Sequence, residues 1–498
     1  MDHHRVREDQ DRSWTFALLS QIAAAGEPEG NVYEAFGTLA HLEDFRCVGP
    51  LTEMVEDVRL PHYVRERASK VVSGFDDITS GDQCRRWWSS GDLLLKAHAL
   101  RLMERSEADI VTTVAGDDQH PLQALALAAM AFGYDEAQYQ PVKVRALGHK
   151  TEAVREAAAD VLLWDEAVVA EKPLAHAAFD ASTPVAKAAL NTLQYYPSRS
   201  VLRVLADRCS ADDDEIRTEA EACFDFVKSS FEEAATFGDN EQVQLLRAWM
   251  APVADLVRWP EMAQQRPTGK PRPQRPRDAL DESALRALLE DLDGGWEAKQ
   301  KTLWQVDWEA FGNAERERLS LVLRSHPDPV VRGIASVPLA VWSRSGDLLA
   351  LTYDPSSTVQ KFAMYELKSV PRDATIAERA WEYVAGAAGI AAREALQTYV
   401  AHASQAQATD RLIELSRTDR REIIRTTAIS SLAELRARRG VESLTSLLWE
   451  PPAVSWAVHI SVLDALRTLH ISPPPLDELT LVDNLYVVQS AFALRCGT

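Results

Sequence analysis

Five cysteines in 498 residues stand far apart, at Cys47, Cys84, Cys209, Cys223 and Cys496, with no C-x-x-C pair and no histidine at zinc-ligand spacing. That scarcity argues against a disulfide framework, a structural zinc or a dithiol redox centre, and it predicts idle thiols in a reducing compartment. No run of about 18 apolar residues occurs, so no membrane-spanning helix is expected. The opening stretch Met1 to Trp14 is charged, and the apolar residues after it are soon broken by Ser20, Gln21 and Gly26, which leaves no signal-peptide core. The expectation is a cytoplasmic protein with no membrane partner. Catalytic spacings are missing as well: there is no H-E-x-x-H, no G-x-S-x-G, no Gly-rich phosphate loop ending in Lys-Ser or Lys-Thr, and no dinucleotide fingerprint. The sequence therefore predicts no catalytic residue, no metal ligand and no cofactor.

Positive charge is also in short supply. Lys and Arg number 54 against 75 Asp and Glu, a net charge of −21. The deficit is uneven: −18 over residues 1–260, +3 over 261–278 and −6 over 279–498. Such an acidic field repels phosphate backbones and disfavours nucleic acid as a partner. It suits a protein or peptide partner with a basic segment.

What the sequence does have is a recurring phrase. A polar or Pro-containing turn is followed by an aliphatic residue, often Arg next, and a small residue four positions after the aliphatic one. Clear copies are Val64-Arg65 with Ala68, Val154-Arg155 with Ala158, Ile216-Arg217 with Ala220, Val331-Arg332 with Ala335, and Ile424-Arg425 with Ala428. Weaker copies start at Leu95, Leu122, Val185 and Val359, and degraded ones at Ala392 and Val454. Steps between successive anchors are 31, 27, 32, 31 and 31 in the first half, then 28, 33, 32 and 30 in the second. A period of about 30 residues holds two short helices and two turns, the unit of an α-solenoid. On a helix, positions i and i+4 share a face, so the aliphatic residue and the alanine point together into the layer between neighbours. The predicted fold is all-α, a solenoid of stacked antiparallel helix pairs with no significant sheet.

These phrases resemble HEAT repeats, especially the short bacterial HEAT-like (PBS-lyase-type) repeats with an acidic turn before V-R-x-x-A. The resemblance covers roughly residues 40–470. It implies a right-handed superhelix whose concave face is lined by one helix of each pair. Its functional implication is broad, because the family includes scaffolds, adaptors, bilin lyases and DNA-repair glycosylases. The leading expectation is a non-catalytic scaffold or adaptor that grips a protein on its concave face. The alternative is a HEAT-like enzyme, bilin lyase/isomerase-like or, against the charge, DNA glycosylase-like.

Between Ile216 and Val331 the period lapses. The strip Arg266 to Arg277 reads RPTGKPRPQRPR, which cannot be a helix. Its position suggests a solenoid half at 1–259, a linker or insertion loop at 260–278 and a second half at 279–498, with 260–277 running loosely over the surface. The basic residues Arg266, Lys270, Arg272, Arg275 and Arg277 are candidate docking contacts. Two further candidates come from the adjacent pair Trp87 and Trp88, since one ring must point away from whatever the other packs on. Trp304 and Trp308 read as an i, i+4 pair on one helix face. The repeating arginines read as inter-repeat ion pairs rather than as a basic ladder, and the acid run Asp212 to Glu215 reads as a helix cap rather than a metal cluster.

Overall fold

In the computed structural model of the chain, the described residues are 35–40, 47–75, 81–103, 107–131, 134, 138–164, 167–265, 306–326, 329–387, 389–449, 455–471 and 482–497. Of the described residues 74% are helical, about twice the share in an ordinary globular domain, and they contain no sheet. Their one isolated bridge joins Phe237 to Gln264. Antiparallel helix pairs stack in sequence order as an α-solenoid.

Local chemistry sets where the helices begin and end. Asp92, Ser198, Asp213, Asp239, Ser356, Ser404, Ser455 and Asn484 each precede a helix and accept from its first-turn N–H groups. Those donors have no partner inside the helix, so the caps satisfy them. Asp213 is the working member of the Asp212 to Glu215 run: its Oδ1 accepts from Glu215 N at 2.9 Å and Ile216 N at 3.2 Å. At three C-termini, Ser343, Arg436 and His470 adopt left-handed φ values of 57°, 51° and 53°. The following N–H then returns to an earlier carbonyl, Arg344 to Leu339, Ala437 to Leu432 and Ile471 to Leu466. This is the Schellman closure made without glycine.

The ten clear anchor residues are all buried, none more than 5% exposed. Val185, Ala189, Val359 and Ala363 are fully enclosed too. Leu95 and Leu122 are only half-buried, because Leu94 and Gln123 take the inward places near Ala99 and Ala126. Among the repeating arginines, Arg65, Arg155 and Arg332 reach Asp92, Asp180 and Asp354, each in the turn before the next anchor helix. Arg217 and Arg425 depart from that pattern. Arg217 bonds Asp214 of its own helix and Ala211 O, and Arg425 donates to Ser416 O at 3.1 Å.

Contacts group the chain into two compact units, each drawn from two stretches: 1–107 with 272–382, and 108–271 with 383–498. In the second unit the helix Leu485–Cys496 packs on Asn240–Trp249 as well as on Trp456–Thr468, so residues far apart in sequence share one core. In the first unit, one stretch centres on Leu51, Val64, Ala68 and Leu94, and the other on Trp308, Leu323, Val331 and Trp342. Trp308 begins the 3-10 turn Trp308–Ala310 rather than continuing an α-helix. It packs on Phe311 and Trp342, and Trp304 lies outside the described residues.

Candidate functional site

The constellation nearest to catalytic geometry lies in the first unit. Ser69 Oγ is 2.9 Å from His98 Nδ1, and Arg101 Nη1 donates to the same hydroxyl at 2.9 Å. The hydroxyl thus accepts from Arg101 and shares one further hydrogen bond with the imidazole Nδ1. Burial, then the Arg101 charge, pushes the imidazole down to about 4. Ser69 and His98 have no exposed surface at all, so no substrate reaches the hydroxyl. The pair is a core hydrogen bond, with Trp87 tilted over His98 at 4.8 Å. No group of His, Cys, Asp and Glu among the described residues could hold a metal ion. No described helix is long and apolar enough to cross a membrane.

In the second unit three successive anchor helices, Glu152–Val161, Thr183–Leu193 and Asp214–Thr236, pack one on the next. The last turns Ile216, Ala220, Cys223, Val227 and Phe231 inward at spacings of three and four. That leaves Ala222, Asp225, Phe226, Ser229 and Glu233 exposed on its other side. Phe226 is 51% exposed and its ring centroid is 5.9 Å from that of Tyr195, itself 50% exposed. Tyr195 points outward because its neighbour Tyr196 is buried and hydrogen-bonds Leu162 O. The helix bearing Phe226 carries seven acidic residues and two basic ones.

Side-chain contacts tie the three helices together at this end. Asn191 Oδ1 is 3.9 Å from Cys223 Sγ, and Thr192 Oγ1 donates to Ala159 O at 2.9 Å. Beside Ala159, Asp160 is exposed, and no cation among the described residues pairs with it. Crowding by the surrounding protein, and then Glu156 one turn earlier, push its carboxyl above the ordinary range. Successive repeats thus carry an acid pair, Glu156 and Asp160, and an aromatic pair, Tyr195 and Phe226. Exposed rings and carboxylates of this kind can take an apolar or a cationic side chain.

The residues singled out from sequence fall elsewhere. Trp87 is a core residue, 4% exposed, its Nε1 donating to Glu56 Oε1 at 2.7 Å, so it offers no ring to a partner. Trp88 is half-buried with the Lys96 ammonium 5.5 Å from its ring. Arg266, Lys270, Arg272, Arg275 and Arg277 lie outside the described residues. The first residues of their strip are not loose. Gln264 N donates to Thr236 O at 2.7 Å, and Arg247 donates to Glu261 O at 2.9 Å and Pro260 O at 2.7 Å. The Tyr195–Phe226 pair escaped the sequence reading, although the Tyr195-Tyr196 doublet carried the same signal as Trp87-Trp88.

No family model and no curated protein matches the chain. Solved structures similar to it include importin beta, at 11% identity, TM-score 0.32, with 96% of this chain and 72% of that chain covered. Human deoxyhypusine hydroxylase in complex with glycerol matches at 13% identity and TM-score 0.22, over 73% of this chain and 96% of the other. A designed armadillo repeat protein in complex with the peptide (KR)4 matches at 13% and 0.21, over 42% and 98%. Stronger ground is the chain's own repetition: ten anchor residues at one period, all buried between stacked helix pairs. The chain is an α-solenoid. In this solenoid three of the five clear repeat arginines are spent on the turn of the next repeat, which leaves the acid surplus, not a basic ladder, facing solvent.

Proposed function

We propose that the protein is a non-catalytic scaffold that binds a cationic, partly apolar peptide segment of another protein on the exposed side of helices Glu152–Val161, Thr183–Leu193 and Asp214–Thr236. The observation that carries this reading is the Tyr195–Phe226 pair, two half-exposed rings 5.9 Å apart on an acid-rich helix layer. Aromatic rings are the commonest anchors of protein interfaces, since they bury large area for little lost rotamer freedom. The faces of the two rings also attract Lys and Arg. Asp160 and Glu156 supply complementary charge, and a partner cation there would relieve the repulsion between them.

The test is a binding titration of the full chain with two fluorescent peptides of equal length. One alternates Lys or Arg with Leu, and the other replaces each cation by Glu. The proposal expects saturable binding of the cationic peptide and none of the acidic one. Equal binding of both, or of neither, overturns it.

A further inference from the structure

The C-terminal segment of the second unit is held by a polar node that has more contacts than protons. Leu485 N donates to Pro197 O at 2.8 Å. Asp483 spans the start of helix Arg199–Arg208: Oδ1 accepts from Arg199 Nε at 2.7 Å and Arg199 N at 3.2 Å, and Oδ2 accepts from Ser200 N at 3.1 Å. The Arg199 guanidinium lies 4.4 Å from the Trp249 ring centroid and donates to Trp249 O at 3.0 Å. Below the node, Leu485, Val488 and Phe492 complete the core that contains Leu202, Leu246 and Trp249. Helix Leu485–Cys496 is thus the piece that connects Asn240–Trp249 to Trp456–Thr468.

Ser200 Oγ touches Asp483 Oδ2 at 2.9 Å and Glu171 Oε1 at 2.5 Å. Ser198 Oγ touches the same Glu171 oxygen at 3.0 Å and Ser200 Oγ at 2.9 Å. A serine hydroxyl has one proton to give. If both carboxylates are ionised, Ser200 can satisfy only one of them, and its other contact sets lone pair against lone pair at hydrogen-bond distance. A proton on Glu171 Oε1 removes the conflict: Oε1–H donates to Ser200 Oγ, whose own proton goes to Asp483 Oδ2. The proton belongs on Glu171, because Asp483 has the guanidinium and two backbone N–H groups to hold its charge, whereas the bonds to Glu171 come from two hydroxyls.

We propose that the docking of helix Leu485–Cys496 is gated by one proton held at Glu171: the segment is clamped while Glu171 is protonated and loosens when it ionises. Burial pushes the Glu171 carboxyl above the ordinary range; the Ser200 and Ser198 hydroxyls pull the other way, and the Asp483 charge adds to the rise. Burial also pushes Asp483 up, but the bonds from Arg199 and Ser200 outweigh it and hold it low. Docking stability tied to Glu171 is therefore full at low pH and lost as pH rises through its raised value. Stability tied to Asp483 is lost as pH falls through its lowered one. The clamp holds between the two. Of the other charges near Glu171, Lys172 shares its helix. Lys187 on the helix packed beside it is held by Glu215 at 3.1 Å. On helix Gln140–Ala146, Lys143 donates to Tyr134 O and Arg145 to Gly116 O.

The experiment is hydrogen–deuterium exchange on the full chain from pH 5 to 8, read as protection factors for Leu485–Cys496 with helix Glu422–Glu434 as internal reference. Wild-type protection should fall by up to about tenfold per pH unit from the ordinary carboxylate range up to the raised Glu171 value and level off above it, while the reference stays level. Glu171→Gln, which keeps a donor toward Ser200 and cannot ionise, should stay protected throughout. Asp483→Asn should be loose at every pH. Level protection of the wild-type segment overturns the proposal on its own, without recourse to a variant, and so does a Glu171→Gln slope equal to that of the wild type.

Discussion

Arg155 grips Asp180 of the following repeat with two guanidinium nitrogens, Nε to Oδ2 at 2.8 Å and Nη2 to Oδ1 at 2.9 Å. The same fork joins Arg332 to Asp354 at 2.9 and 2.9 Å, and Arg65 reaches Asp92 at 2.5 Å through one nitrogen. Each aspartate also accepts a backbone N–H in the turn that starts the next anchor helix: Ser182 N to Asp180, Ser356 N to Asp354 and Leu94 N to Asp92. One carboxylate thus fixes both the spacing of two repeats and the start of the second.

Asp180→Ala should cost about 2 kcal/mol in urea unfolding, because it strands a mostly buried guanidinium and removes a turn acceptor. The Arg155 guanidinium, opposed by burial and helped by Ser182 N, holds Asp180 below the ordinary carboxylate range. The stability it provides is therefore present above the unfolded carboxylate value and lost as pH falls through the lowered folded one. A wild-type minus variant difference that shrinks between pH 5 and pH 2 confirms the sign; a difference that grows contradicts it.

Ala220 is fully buried in the layer shared by Asp214–Thr236 and its neighbours. Ala220→Leu should overpack that layer and destabilise by roughly 1 to 3 kcal/mol. Thermal denaturation followed by circular dichroism measures it, and an unchanged midpoint contradicts the packing register.

Arg436, with φ of 51° and an exposed side chain, closes its helix in a conformation that glycine adopts freely. Arg436→Gly should stabilise the chain by up to about 1 kcal/mol, since relief of the left-handed strain outweighs the added chain entropy. Chemical denaturation reads the change, and a loss of stability contradicts the strain argument.

The repeat was legible because it is a matter of local spacing. Val154 and Ala158, or Ile424 and Ala428, share a helix face whatever the tertiary context, and each is buried. The aspartates that receive Arg155 and Arg332 were legible in kind, since a capping acid stands in each turn. What spacing cannot convey is which neighbour in a doublet faces outward. Trp87-Trp88 and Tyr195-Tyr196 look alike in sequence, yet the inward place falls to the first of one pair and the second of the other. Nor does the period foretell that Asp483 caps helix Arg199–Arg208, a contact made by a fold-back that lies outside the repeat.

Asp160→Asn should move stability and binding in opposite directions. Its carboxyl is pushed up by crowding and by Glu156, so the ionised form opposes folding, and wild-type stability should rise as pH falls through that raised value. The neutral variant should melt slightly higher at pH 7 and bind a cationic peptide roughly two- to fivefold more weakly, the loss of one exposed ion pair. A variant that loses stability, or binds unchanged, contradicts the reading of Asp160 as an unneutralised site.

The most direct test of the scaffold reading is calorimetric titration of the cationic, leucine-bearing peptide into the wild type and the double variant Tyr195→Ala, Phe226→Ala, at low and at high salt. Wild-type affinity should fall with salt, as expected for an acidic surface. The double variant should lose about tenfold or more at both salts while keeping its helical content. Equal affinity of the two proteins would contradict the account, and so would wild-type binding indifferent to salt.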